Sequence, residues 1–253
     1  MTYCVAIKVA DGLVALSDGR ITAGTQLSSA RKIALIGPQG AQFLVMTSGL
    51  RSLRDKTVAY LKRMMAKRPE GYASLLDVAA DYSACLRRVR EEDEKDLAVS
   101  DLRFNLHTII GGKMPDDPEP NFLLIYPEGN WIEVDERTPY LSIGETSYGK
   151  PILDRALRTS TDLRTALKLA YLSFDSTRIS AADVGFPIDM LVYLPQEKVW
   201  RETQYDYDEL IEQRQWWNSR LKQLAHDMPD GPWADELCPP RDRLSVVPDK
   251  SSA

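Results

Sequence analysis

Met1-Thr2-Tyr3-Cys4-Val5-Ala6-Ile7-Lys8-Val9-Ala10-Asp11-Gly12-Leu13-Val14-Ala15-Leu16-Ser17-Asp18-Gly19-Arg20 opens the chain. Tyr3 to Val9 is β-prone and alternating, Asp11-Gly12 is a hairpin turn signal, and Leu13 to Ser17 reads as a second strand. Asp18-Gly19-Arg20 then breaks the pattern. Lys32 to Ile36 and Gln42 to Thr47 read as another hairpin, turned at Gly37-Pro38-Gln39-Gly40. Short β segments this close together predict an antiparallel sheet, because parallel neighbours need a long crossover.

Further along, helices and strands alternate in blocks. Leu50, Leu53, Leu61, Met64 and Met65 recur at helical spacing until Arg68-Pro69-Glu70-Gly71 stops the run. Leu75, Val78, Ala79, Tyr82, Leu86 and Val89 mark a second amphipathic helix, with Arg87 to Asp96 as its solvated end. Strands are expected at Asn105 to Ile110, Phe122 to Tyr126 and Trp131 to Val134. A helical pair follows at Lys150 to Thr159 and Asp162 to Phe174, then strands at Ile188 to Leu194 and Lys198 to Glu202. The predicted order is ββ(ββ)-αα-βββ-αα-ββ. Two sheets between two helical layers bury so many half-apolar elements most economically, so the expected fold is α+β, a four-layer αββα sandwich.

The expected domain spans residues 1–203. Residues 204–226 read as a C-terminal helix with Leu210, Trp217, Leu221 and Leu224 on one stripe, a packing or intersubunit element. Residues 227–253, rich in proline and charge, read as an irregular or disordered tail.

Composition narrows the function. With 253 residues and 43% hydrophobic content the chain can bury a sizeable core. The formal charge of −5 and the lack of a basic tract argue against nucleic acid. No apolar run reaches membrane-spanning length, and Lys8 and Asp11 interrupt the first apolar segment, so neither a membrane nor a secretory leader is expected. The odd, scattered cysteines Cys4, Cys85 and Cys238 fit a reducing cytoplasm. Only His107 and His226 are present, which leaves little material for a histidine triad or a metal centre. Neither a cofactor nor a metal is expected.

Thr2 carries the chemistry. Removal of Met1 ahead of a small side chain would expose a threonine whose hydroxyl is a nucleophile and whose α-amine is a base. That amine titrates near ~7.7–8.0, so a useful fraction is neutral at physiological pH. A nearby lysine ammonium favours the neutral amine further, and a carboxylate holds that lysine charged and oriented. If the first strands pair with their near ends together, Thr2, Asp18 and Lys32 converge at one sheet edge. Ser48-Gly49, where a strand meets a helix, is the natural oxyanion site, since a glycine lets a carbonyl approach backbone N–H groups. Cys4 lies on the same strand face as Thr2, but reaching it as a terminal nucleophile would require removal of three residues.

Residues 1–7, Ser17-Asp18-Gly19-Arg20, Arg31-Lys32, Ser48-Gly49, Ile143-Gly144-Glu145, Tyr148 to Arg155, Ser173 to Thr177, Gly185 and Pro187-Ile188-Asp189 together resemble the Anbu family. This is a bacterial proteasome-like family related to proteasome β-subunits and to the HslV peptidase. The resemblance covers about residues 2 to 225. It implies an N-terminal-nucleophile hydrolase of αββα architecture that assembles with itself into a ring-like homo-oligomer and acts on peptides or unfolded protein. Carried over by position, Thr2 is nucleophile and base, Asp18 and Lys32 its activating pair, and Gly49 the oxyanion donor. Asp175 is a supporting aspartate, with Ser176 and Ser180 both candidates for the accompanying serine. One departure stands out. Proteasome subunits carry a Gly-Ser-Gly turn near the terminal amine, where this chain has Ile143-Gly144-Glu145-Thr146, with Ser142 and Ser147 nearby.

Three functions follow from these readings: a threonine peptidase, a weakly active scaffold or regulatory ring subunit, or a hydrolase of small amides. No ATPase partner can be read from one chain.

Overall fold

The computed structural model describes residues 2–23 and 26–237. In chain order the elements are β1 (Tyr3–Val9), β2 (Gly12–Asp18), β3 (Arg20–Ala23), β4 (Gln26–Ser29), β5 (Ile33–Ile36), β6 (Phe43–Gly49), α1 (Arg51–Met65) and α2 (Leu75–Val99). Next come β7 (Leu106–Gly112), β8 (Asn121–Ile125), β9 (Trp131–Glu133), β10 (Tyr140–Gly144), α3 (Lys150–Ala156), α4 (Leu163–Ser180), β11 (Ile188–Leu194) and β12 (Val199–Tyr205). The helices α5 (Ile211–Asp227) and α6 (Pro232–Leu237) follow. By internal contact the chain divides into two compact units, Met1–Leu210 and Ile211–Ala253.

The first unit is an αββα sandwich, as the element pattern predicts. One antiparallel sheet has the order β10-β1-β2-β11-β12 and the other β5-β6-β7-β8-β9; β3 and β4 form a separate two-stranded ribbon. Strand alternation assigns the residues of β1 to two different cores. Tyr3, Val5 and Ile7 pack with Leu169, Ala170 and Phe174 of α4, while Cys4 and Ala6 face the opposite way, into the space between the sheets. That middle layer is also filled by Leu44 and Met46 of β6, Ile109 of β7 and Phe122 of β8. On the far side, Phe43, Val45, Leu106 and Ile110 turn outward to meet Leu53 and Leu61 of α1 and Val78 and Tyr82 of α2. Small residues such as Cys4, Ala6 and Ala15 on one sheet let larger side chains from the other reach across.

Local signals set the helix starts. Ser74 accepts from the Asp77 N–H at 3.1 Å, and the Asp77 carboxylate accepts from the Ser74 N–H at 3.1 Å, a reciprocal cap that begins α2. Asp162 caps α4 by accepting from the Thr165 N–H at 3.0 Å.

Four expectations are corrected. β10 is missing from the predicted order, although it forms the sheet edge against β1. Its five residues follow Pro139 and end on Gly144, so they carry too little pattern to announce a strand. The ribbon β3–β4 is also missing, because Arg20 to Ser29 is largely polar. The expected helix from residue 204 starts later: Gln204 and Tyr205 complete β12, paired with Asp189 and Ile188, and α5 begins at Ile211. Within the expected irregular tail, Pro232–Leu237 is helical, and the rest of that tail, residues 238–253, lies outside the described residues. Among the described residues no helix is long and apolar enough to cross a membrane.

Phe122 fixes the middle layer. It lies opposite Gly111 in the β7–β8 ladder, and a Cβ at Gly111 would fall on its ring. Phe122→Ala should therefore open a cavity between the sheets and cost about 3–5 kcal/mol, read as a lowered denaturation midpoint at unchanged secondary-structure content.

Candidate active site

Thr2 sits just ahead of β1, at the end of the sheet where β10 and β2 flank it. The register pairs Tyr3 with Gly144 and Cys4 with both Ile143 and Ser17. Main-chain contacts hold Thr2 on both sides. Its carbonyl accepts from the Glu145 N–H at 2.7 Å. The N–H of the next residue, Tyr3, donates to Asp18 Oδ1 at 2.8 Å. Gly144, at φ +89°, is pressed so closely on the Thr2 carbonyl that a Cβ there would overlap it. Only glycine tolerates both that torsion and that approach.

Asp18, the last residue of β2, is wholly buried, and Lys32, just ahead of β5, is 7% exposed. Lys32 Nζ lies 2.7 Å from Asp18 Oδ1. The ammonium and the Tyr3 amide thus share one oxygen, which puts Lys32 within one residue of Thr2. The other oxygen, Oδ2, accepts from the Gly185 N–H at 3.4 Å. Burial pushes the Asp18 carboxyl above its ordinary range, while Lys32 and the two N–H donors pull it back toward the ionised form.

The segment carrying Lys32 is anchored in turn. The Lys32 carbonyl accepts from the Thr47 N–H at 3.1 Å, and the Arg31 carbonyl from Arg54 Nη1 at 3.1 Å. Arg31 reaches Asp189 at 3.2 Å and Glu202 at 3.0 Å.

Asp189 is a residue that sequence reading quoted but gave no role. It lies in one cross-strand row, Cys4–Ser17–Asp189–Gln204, facing the gap between the sheets. Gln204 and Arg31 both donate to its Oδ1, while Oδ2 is buried without a hydrogen bond. Burial raises its carboxyl in spite of Arg31. An acid in the otherwise apolar strand Ile188–Leu194 is the signal that could have marked it. Cys4, in the same row, donates to Ser17 Oγ at 3.3 Å, and burial pushes its thiol up to about 12.

At the other side of the site, Gly49 ends β6 with φ +138°, and a Cβ there would run into the Asn105 carbonyl. Leu50 then caps α1 without a side-chain hydrogen bond. Ser48 Oγ lies 3.3 Å from where a Gly144 Cβ would stand, so the end of β6 reaches the Thr2 anchor. The Glu145 carboxylate accepts from the Ser147 N–H at 3.2 Å.

Asp175 of α4 is 1% exposed and is paired with Arg178 at 2.6 Å. Among the described residues no hydrogen bond joins it to Thr2, Asp18 or Lys32. Ser176 is half-buried and Ser180 exposed. α4 instead reaches β1 through Ser173, whose Oγ accepts from the Tyr3 hydroxyl at 2.7 Å, a contact that sequence spacing did not suggest. The site is therefore drawn together around Thr2, Asp18, Lys32 and Glu145, with Gly49 at its rim and the α4 residues apart.

This sandwich, with Thr2 pinned beside a buried Asp–Lys pair, is the fold of a known family. Residues 2–192 match the proteasome subunit family. The solved structure titled as the helical assembly of the Anbu complex from Pseudomonas aeruginosa is 34% identical, with TM-score 0.83 over 92% of this chain and 99% of that one. Anbu (ancestral beta-subunit) from Yersinia bercovieri is 31% identical, with TM-score 0.80 over 91% and 99%. A Gly-1 mutant of Anbu from Hyphomicrobium sp. strain MC1 is 30% identical, with TM-score 0.82 over 91% and 99%. No curated protein gives a significant match. The chain belongs to the proteasome subunit family and, within it, to the Anbu proteins.

Two outcomes are expected. Asp18→Asn leaves Lys32 buried without its counter-charge and should cost about 3–5 kcal/mol of stability, measured by chemical denaturation. Cys4 should resist alkylation at pH 8 in the folded protein, where a thiol at about 12 is only ~10⁻⁴ thiolate. Peptide mapping should find it labelled only after unfolding.

Proposed function

We propose that the chain is a threonine-type N-terminal-nucleophile peptidase that works as a many-copy homo-oligomer once Met1 is removed. One observation carries the reading: Asp18 Oδ1 holds both the Lys32 ammonium and the amide that follows Thr2. A cation this close to the terminal amine keeps the amine neutral and able to accept a proton.

In this reading Thr2 Oγ attacks a peptide carbonyl while its α-amine takes the hydroxyl proton. The tetrahedral oxyanion is met by the Gly49 N–H at the head of α1. Collapse expels the amine of the leaving peptide, which takes that proton, and leaves an acyl ester on Thr2. Water then gives a proton to the α-amine and attacks the ester, and the amine passes that proton to Thr2 Oγ as the acid is released. Asp175, with Ser176 or Ser180, supports the site from α4 at one remove. The sandwich up to the end of β12 carries this chemistry, and α5 serves packing between copies. Trp216, Leu221 and Leu224 of α5 are 57%, 44% and 61% exposed, an apolar set that a neighbouring copy would cover. The helical assembly of the Pseudomonas relative supports self-association, whether the arrangement closes into a ring or stays open. The compartment in which this fits best is the cytoplasm.

A second reading, a scaffold subunit with little catalysis, draws on Glu145. Only its backbone N–H touches Thr2, and its carboxylate is turned to Ser147.

Intact-mass spectrometry and an acylating electrophile separate the two. A peptidase should lack Met1 and gain the electrophile's mass on Thr2. Thr2→Ala should lose both labelling and turnover, a fall of at least about 10³-fold, with fold and assembly unchanged. Wild-type turnover in Thr2→Ala would rule the mechanism out, and retained Met1 without labelling would favour the scaffold.

A further inference from the structure

A cleft of about 740 Å³ lies between α1 and β5, and its lining includes Lys32 and Thr47, so it adjoins the buried pair. Leu35, Val45, Val58 and Ala59 give it an apolar wall. Its charged lining is four cations, Arg31, Lys32, Arg54 and Lys62, against two acids, Asp55 and Glu202. Almost all of these are already committed. Lys32 is held by Asp18, Arg31 by Asp189 and Glu202, and Arg54 by Asp55 at 2.8 Å, with Arg51 also on Asp55. Among the charged side chains of this lining, that of Lys62 alone makes no hydrogen bond or ion pair within the described residues, and it is exposed.

Asp55, Val58, Ala59 and Lys62 follow one face of α1, so the cleft runs about 10 Å along the helix. One end lies beside Thr47 and Lys32; the other carries the surplus charge. An occupant with an apolar stem and an anionic end is complementary to both features. A substrate lysine would meet uncompensated positive charge, and a neutral amide would gain no ion pair.

We propose that this cleft selects substrates that carry a carboxylate side chain, as glutamate does, next to the cleaved bond, with Lys62 as the residue that reads it. The proposal rests on the peptidase reading for its placement beside the reacting bond. Lys62 is a specificity residue and takes no part in bond making, so its effect is on which peptide binds. Because it is exposed, solvent screens it, and the expected preference for Glu over Gln is about five- to twentyfold.

The test uses fluorescent peptides that differ only in having Glu, Gln or Lys at that position. Their affinities for the Thr2→Ala protein, measured by anisotropy, do not depend on turnover. Glu should bind about five- to twentyfold tighter than Gln, and Lys weakest. Lys62→Glu should abolish the Glu preference and reverse the order of Glu and Lys, with an unchanged melting temperature. Equal binding of Glu and Gln peptides, no binding of any peptide, or a Glu preference that survives Lys62→Glu overturns the proposal. If the wild-type protein cuts none of these peptides while Thr2→Ala keeps the Lys62-dependent preference, the peptidase reading fails and the cleft assignment stands.

Discussion

A carboxylate sealed beneath a sheet is tolerable only if its charge is answered on the spot. Asp18 is answered by an ammonium at 2.7 Å and by two backbone N–H groups, and each of these partners comes from a different part of the chain. Residue 3 opens the first strand, residue 32 precedes the fifth, and residue 185 lies in the turn into β11. The pair gains little net stability over an apolar replacement, because desolvation consumes most of the attraction. What it fixes is position. An unpaired partner on either side would be a buried charge, so the three segments have one arrangement that avoids that cost.

Much of the sandwich exists to deliver this arrangement. The β1–β2 hairpin sets Cys4 opposite Ser17, which places Asp18 beside the start of β1. β10 closes the sheet edge and brings Gly144 and Glu145 onto the Thr2 carbonyl. Arg31, tied to Asp189 and Glu202, holds the chain just ahead of Lys32. These are contacts between residues far apart in sequence, so the site comes into being with the tertiary fold and not with any one element.

The sequence and the structure agree best where period is strong. Tyr3–Val9 alternates, Ile188–Leu194 is an apolar run broken only by Asp189, and their strands fall on those residues. Asp18 and Lys32 were legible because a charged residue at the end of an apolar strand, beside a nucleophile, has chemical meaning. β10 and the ribbon β3–β4 were not, since five residues that follow a proline and end on a glycine, or a polar run, give no period to count. The role of Asp189 stayed hidden for a different reason. Its partners, Arg31 and Gln204, meet it only through strand pairing that spacing does not encode. Likewise the Tyr3–Ser173 contact spans two layers. The family pattern placed Asp175 near the reacting centre, whereas its carboxylate is engaged by Arg178 within its own helix.

Thr2 is held through main-chain groups: its carbonyl against the Glu145 N–H, and the following amide against Asp18. Nothing in that grip depends on what hangs from the α-carbon. A serine, or even a cysteine, would be presented in the same pose. The scaffold therefore behaves as a socket, in which the side chain at this position can be exchanged without redesigning the platform that holds it.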